Sequence, residues 1–147
     1  MMETTIFRDY WFSAAHQIEG HPKCGRLHGH NYKVRVGVTG LVSEQTGMVI
    51  DFGDLDTIVK PIIDGEMDHR YIVSQDNVEH ANPVAELSIM NGWAFNPGLT
   101  FSTAECIAEY LAKRIFNNMN VVSISVGVWE THRSMASATY PSLDDED

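Results

Sequence analysis

The chain has 147 residues, 20 acidic and 10 basic, for a formal charge of −10. That length fits one domain, which buries roughly 70% of the surface its unfolded chain exposes and needs neither disulfides nor a metal merely to fold. Apolar residues make up 44%, ordinary for a globular chain, and the acid excess argues against a nucleic-acid partner, whose phosphates call for clustered Lys and Arg. No apolar run approaches the ~20 residues of a membrane span and the N-terminus lacks a signal-peptide pattern, so no membrane partner is expected. Cys24 and Cys106 are too few for a disulfide framework; reduced thiols and a cytoplasmic location are the expectation. One domain over 1–143 is expected, followed by a solvated acidic tail, 144–147.

In chain order, Thr4 to His16 carries β-formers and reads as a strand, and Gln17 to Leu27 as a loop. From His28 the parity is clean. His28, His30, Tyr32, Val34, Val36 and Val38 share one face, and Asn31, Lys33, Arg35, Gly37 and Thr39 the other, which is a half-buried strand. A short strand is expected over Met48 to Phe52. Leu55, Ile58, Val59, Ile62 and Ile63 then form the apolar stripe of a helix, capped by Asp51 or Asp54 and kinked or ended by Pro61. Met67 to Val73 reads as a short extended segment. Ser74 to Phe101 is rich in turn signals, Asn82-Pro83, Asn91-Gly92 and Asn96-Pro97-Gly98. A second helix carries Ile107, Ala108, Leu111 and Ile115, with Cys106 on its apolar side. Ser102 or Thr103 can cap it, and Glu105 sits where a capping box wants an acid. Val121 to Trp129 and Met135 to Tyr140 complete the strands. The fold class is α+β: an antiparallel four-stranded sheet with two helices packed on one face.

The strongest chemical feature is His16 with His28-Gly29-His30. Histidines at i and i+2 on a strand project from one face, and a third from a neighbouring strand makes a three-imidazole set. Such a set suits Zn²⁺ and leaves a fourth position open for water or substrate. His21 competes as third ligand, but it sits in a loop beside Pro22. Cys24 lies four residues before His28, between Lys23 and Arg26, whose charges favour its thiolate. It reads as a general base or nucleophile, as a fourth zinc ligand, or as an inert thiol. Asp68-His69 is an acid that can orient a ring, or a polar helix end. Glu130 leaves the core at a strand end, where a carboxylate can grip a planar two-donor edge or simply face solvent. Lys23, Arg26, Lys33 and Arg35 cluster in sequence around these groups and promise a locally positive pocket in an acidic protein.

These residues resemble the 6-pyruvoyl-tetrahydropterin and 6-carboxy-tetrahydropterin synthase family. The matching stretches are Phe12-Ser13-Ala14-Ala15-His16, Cys24-Gly25-Arg26-Leu27-His28-Gly29-His30-Asn31-Tyr32, Gly47-Met48-Val49-Ile50-Asp51-Phe52, Met67-Asp68-His69-Arg70-Tyr71, Thr103-Ala104-Glu105 and Trp129-Glu130-Thr131. The short gap from Cys24 to His28 resembles the carboxy branch. The resemblance implies conversion of 7,8-dihydroneopterin triphosphate to 6-carboxy-5,6,7,8-tetrahydropterin, with loss of triphosphate and acetaldehyde, on the way to queuosine and other 7-deazaguanines. It implies Zn²⁺ on His16, His28 and His30, proton abstraction by Cys24 with Asp68 and His69 as partners, and a pterin held by Glu130 with Thr103 and Glu105 nearby. Lys23 and Arg26 would then counter the phosphates. It also implies the tunnelling fold, in which copies form a barrel as a homo-oligomer with active sites between subunits. The family's Asn-Pro-Thr-Ala/Ser-Glu motif is split here: one partial copy stands at Asn82-Pro83-Val84-Ala85-Glu86 and another, without the Asn-Pro before it, at Phe101-Ser102-Thr103-Ala104-Glu105, and the helix after Glu105 favours the second. The connection 74–101 is longer than usual, as lids and interface elements often are.

Overall fold

Strict side-chain alternation along two long strands sets the architecture. In the computed structural model, which describes residues 2–142, β1 (Glu3–His16) pairs antiparallel with β2 (His28–Leu41) over their full length, from Glu3 opposite Leu41 to His16 opposite His28. Their inner face buries Tyr10, Phe12, Ala14, Tyr32, Val34, Val36 and Val38. The expected acidic tail and the domain end at 143 lie outside the described residues.

The next element is helical. Residues 48–52 turn rather than form the expected strand, because the Asp51 carboxylate accepts from the Gly53 N–H at 2.7 Å and starts α1 (Phe52–Ile62). Leu55, Val59 and Ile62 point inward. Arg8 reaches Asp56 through two bonds of 2.7 and 2.9 Å, and the Tyr10 hydroxyl donates to the same carboxylate, which fastens α1 to β1. Pro61 offers no N–H to the preceding turn. The α-helix ends at Ile62 and passes into one wide π turn, Ile63–Met67.

β3 (Arg70–Ser74) follows, then α2 (Gln75–Glu79), α3 (Pro83–Met90), β4 (Ala94–Leu99), α4 (Ala104–Phe116), β5 (Ser123–Thr131) and β6 (Ser134–Tyr140). The sheet has six strands in the order β4-β3-β1-β2-β5-β6. It is mixed rather than antiparallel and four-stranded as expected, since β3 runs parallel to β1 and β4 parallel to β3. Both added strands hide from a period-two reading. Tyr71, Ile72, Val73 and Ser74 are all buried, so β3 shows no alternation. β4 carries Pro97 and Gly98, which an edge strand tolerates.

The helices also depart from two on one face. α1 and α4 bury their apolar stripes in the main core with Ile72. α3 packs Ala85 against Tyr71 and Val73, which flank Ile72 and point the other way. Thr103 caps α4 by accepting from the Cys106 N–H, so Glu105 is the second helical residue and forms no capping box. Cys106 is half-buried rather than in the core.

Candidate active site

At the loop end of β1 and β2 the inner face changes from apolar to imidazole. One ligand atom from each of His16, His28 and His30 lies within 4.8 Å of the others. Backbone carbonyls set two of the rings. His16 Nδ1 lies 2.6 Å from the Ser102 carbonyl, and His28 Nδ1 lies 2.7 Å from the Arg26 carbonyl. A carbonyl only accepts, so each Nδ1 carries the proton and each Nε2 keeps its lone pair. His16 Nε2 and His30 Nε2 are buried without a hydrogen-bond partner. Buried polar atoms are costly to leave unmatched, so the donor set fits a metal ion. Burial pushes the His16 pKa down to about 4, and burial also lowers that of His30, so neutral imidazoles face the cluster at neutral pH. Three imidazoles are the donor number of an open, catalytic zinc site rather than a closed structural one.

Cys24 is absent from this ligand group among the described residues. It sits half-buried in a loop that closes on itself: Ile18 N–H donates to the Cys24 carbonyl at 2.8 Å, and Gly25 N–H to the His21 carbonyl at 3.0 Å. His21 is no ligand either. Its Nδ1 accepts from the Lys23 and Cys24 N–H groups at 3.2 and 2.8 Å, and so shapes the loop. A Cβ at Gly25 would stand 2.6 Å from the His21 carbonyl oxygen, which explains the glycine.

The basic cluster seen in sequence divides between two faces. Lys33 and Arg35 lie on the outer face, where both pair with Asp9 and sit over the Trp129 ring. Only Lys23 and Arg26 stay on the Cys24 loop, exposed to solvent. The reason is parity: odd positions of β2 point away from the histidines.

Asp68 and His69 follow the π turn, whose extra residue closes through the Asp68 N–H to the Ile63 carbonyl at 2.9 Å. Asp68 Oδ1 accepts from the Ser13 N–H at 2.8 Å, and Oδ2 lies 2.9 Å from His69 Nδ1. These bonds hold the Asp68 pKa below its usual value, the Ser13 N–H first. His69 has φ +60° and a side chain 82% exposed, lining an open groove of about 650 Å³ with Ser13, Ala15, His30, Asn31 and Trp93. The chain does not bring this pair to Cys24 or to the histidines by any hydrogen bond or ion pair among the described residues.

Glu130, by contrast, reaches the cluster. It lies one residue beyond the Lys33–Trp129 pair, with Oε2 3.6 Å from His30 Nε2. Thr103 is tied up in capping α4 next to Ser102, whereas Glu105 is exposed and has no hydrogen bond or ion pair among the described residues. Tyr32 was visible as a member of the histidine parity but not as a site group. It is fully buried, stacks on Phe12 at 4.7 Å, meets His30 edge-on, and its hydroxyl has no partner.

A family model described as 6-pyruvoyl tetrahydropterin synthase matches residues 5–141. The chain belongs to this family. A family relative named 6-carboxy-5,6,7,8-tetrahydropterin synthase, from Haemophilus influenzae, is 37% identical over 134 residues, covering 88% of this chain and 94% of its own. A protein of the same name from a Synechocystis species is 32% identical over 126 residues, covering 75% and 95%. Solved 6-pyruvoyl tetrahydropterin synthases share the fold: that of Caenorhabditis elegans at TM-score 0.68 and 24% identity over 94% of this chain and 96% of its own, and that of Plasmodium vivax at 0.72 and 19% over 95% and 98%. The described helices include none long and apolar enough to cross a membrane.

Proposed function

We propose that this pterin synthase family member is a 6-carboxy-5,6,7,8-tetrahydropterin synthase. It converts 7,8-dihydroneopterin triphosphate to 6-carboxytetrahydropterin, releasing triphosphate and acetaldehyde, in the cytoplasm on the route to 7-deazaguanines such as queuosine. The observation that carries this reading is the inward-facing set of His16, His28 and His30, with two buried Nε2 atoms unmatched, inside a chain similar to proteins of that name.

In this reading His16, His28 and His30 hold Zn²⁺, which supplies Lewis acidity that makes nearby hydroxyls easier to deprotonate. Cys24 Sγ accepts the substrate proton. Asp68 holds His69 through the Nδ1 contact of 2.9 Å, leaving Nε2 to exchange protons. Glu130 takes the two-donor edge of the pterin, with Thr103 and Glu105 beside it. Lys23 and Arg26 meet the triphosphate. Because the His69 side chain is largely exposed and no hydrogen bond or ion pair among the described residues joins it to the three histidines, the acid–base pair serves the site of another copy, in a homo-oligomeric barrel.

The test is zinc-loaded protein with 7,8-dihydroneopterin triphosphate and products read by mass. Acetaldehyde with 6-carboxytetrahydropterin is the expected result; a pyruvoyl product assigns the chain to the other branch, and no turnover leaves a pterin- or zinc-binding protein. Cys24→Ala should abolish turnover while metal content stays at the wild-type level. If it loses the metal instead, Cys24 is a ligand and its role as proton acceptor is wrong.

A further inference from the structure

The loop that carries Cys24 is held from an unexpected direction. Asn77 and Asn82 belong to the long 74–101 connection and are almost completely buried. Each side-chain oxygen starts a helix: Asn77 Oδ1 accepts from the Ser74 N–H at 3.0 Å, and Asn82 Oδ1 accepts from the Val84 and Ala85 N–H groups at 2.9 and 3.0 Å. Each side-chain nitrogen crosses to the Cys24 loop. Asn77 Nδ2 donates to the Gln17 carbonyl and to Glu19 Oε1, at 3.1 and 2.9 Å. Asn82 Nδ2 donates to Gln17 Oε1 and to Glu19 Oε1, at 3.1 and 2.7 Å. Both amide hydrogens of each residue are therefore spent on the loop, with none left over.

The bonds continue to both halves of the candidate site. Gln17 Nε2 donates to the carbonyl of Gly25, the neighbour of Cys24, at 3.2 Å. The Ser102 hydroxyl donates to the Gln17 carbonyl at 3.2 Å, while the Ser102 carbonyl holds His16 Nδ1. A connection whose length is common in lids and interface elements is thus a bracket beneath the loop.

We propose that Asn77 and Asn82, acting through Glu19 and Gln17, are positioning residues that fix the Cys24 loop against the three-histidine cluster. The proposal rests on the reading of Cys24 as the proton acceptor. Its physical content is that a thiol on a loop of this length reacts well only if the backbone under it is held, because a displacement near 1 Å costs about a hundredfold in rate.

Asn82→Asp separates bracket from cap. Asp retains the N-cap oxygen but cannot donate, and sets a carboxylate against Glu19. Adding Glu19→Gln restores a donor–acceptor pair in reversed polarity. The readouts are iodoacetamide alkylation of Cys24 by peptide mass, with Cys106 as internal reference, metal content, and kcat and KM for the pterin triphosphate. In Asn82→Asp the expected result is a Cys24 alkylation rate changed about fivefold or more relative to Cys106, kcat lowered about tenfold, KM within about twofold and metal retained, with the double variant recovering most of both effects. Unchanged Cys24 alkylation and kcat in Asn82→Asp would overturn the proposal, as would losses that the double variant leaves in place. Should Asn82→Asp fold poorly by circular dichroism, Glu19→Ala carries the same readouts from the loop side. Alkylation needs no turnover, so a wild-type protein inactive on the pterin defeats the functional reading while alkylation still decides the bracket.

Discussion

The inner face of β1 and β2 holds two regions built on one alternation. At one end Val34, Val36 and Val38 are fully buried among α1 and α4 side chains. At the other, the same parity sets His28, His30 and Tyr32 beside His16. The valine end needs only shape and apolar area, and neighbouring strands and helices supply both. The histidine end needs every lone pair and N–H matched, and for that it recruits carbonyls from outside the sheet, Arg26 from the loop and Ser102 from the segment before α4. Apolar burial is tolerant of which neighbour provides it, whereas an imidazole is useful only when a particular atom faces its Nδ1.

This contrast can be broken from either end. The largest effect is expected from His28→Ala. It should lose metal and turnover, by more than the ~10–100-fold in affinity that altering a ligand's supporting partner costs, while the apo protein keeps its far-ultraviolet spectrum. Metal analysis and circular dichroism check this, and retained stoichiometric metal would remove His28 from the ligand set. Val36→Ala should do the reverse. Losing two buried methyl groups should cost about 2 kcal/mol in denaturant unfolding, with metal content unchanged. Metal loss in that variant would show that the two ends are mechanically one.

The smallest effect is on acid stability of the metal-free protein. The folded His16 pKa lies near 4, below the ordinary 6.5, because burial disfavours the charged ring. The unfolded chain therefore binds the proton more readily, and the stabilisation present above pH 6.5 is lost as pH falls toward 4. Unfolding midpoints of chelator-treated protein over that range should decline, and His16→Gln should decline less. Equal slopes would show that His16 is not the group responsible.

Much of this was legible in the chain. The parity of β2 named its buried face and the histidine pair together, because a strand's period of two is local and needs no knowledge of neighbours. The stripes of α1 and α4 were legible for the same reason, as was Glu130 leaving the core at the end of β5. The errors share one cause. The extended segment at Met67 to Val73 does not read as a strand of the sheet because burial on both sides of β3 erases alternation, and β4 is missed because Pro97 and Gly98 read as turns until an edge position excuses them. Lys33 and Arg35 were counted with Lys23 and Arg26 because closeness in sequence ignores which face a residue takes.

The sequence by itself determined the three-histidine set, the two long strands and the family, since each rests on residue types at short spacing. Only the tertiary structure decided that no hydrogen bond or ion pair among the described residues joins Asp68 and His69 to Cys24, that the His21 ring shapes a loop, and that Asn77 and Asn82 reach Gln17 and Glu19. Those bonds join residues 58 to 65 positions apart when they run to Glu19 and Gln17. A hydrogen bond depends on where two atoms meet in space, and at such separations only the folded sheet brings them within 3 Å or so of each other.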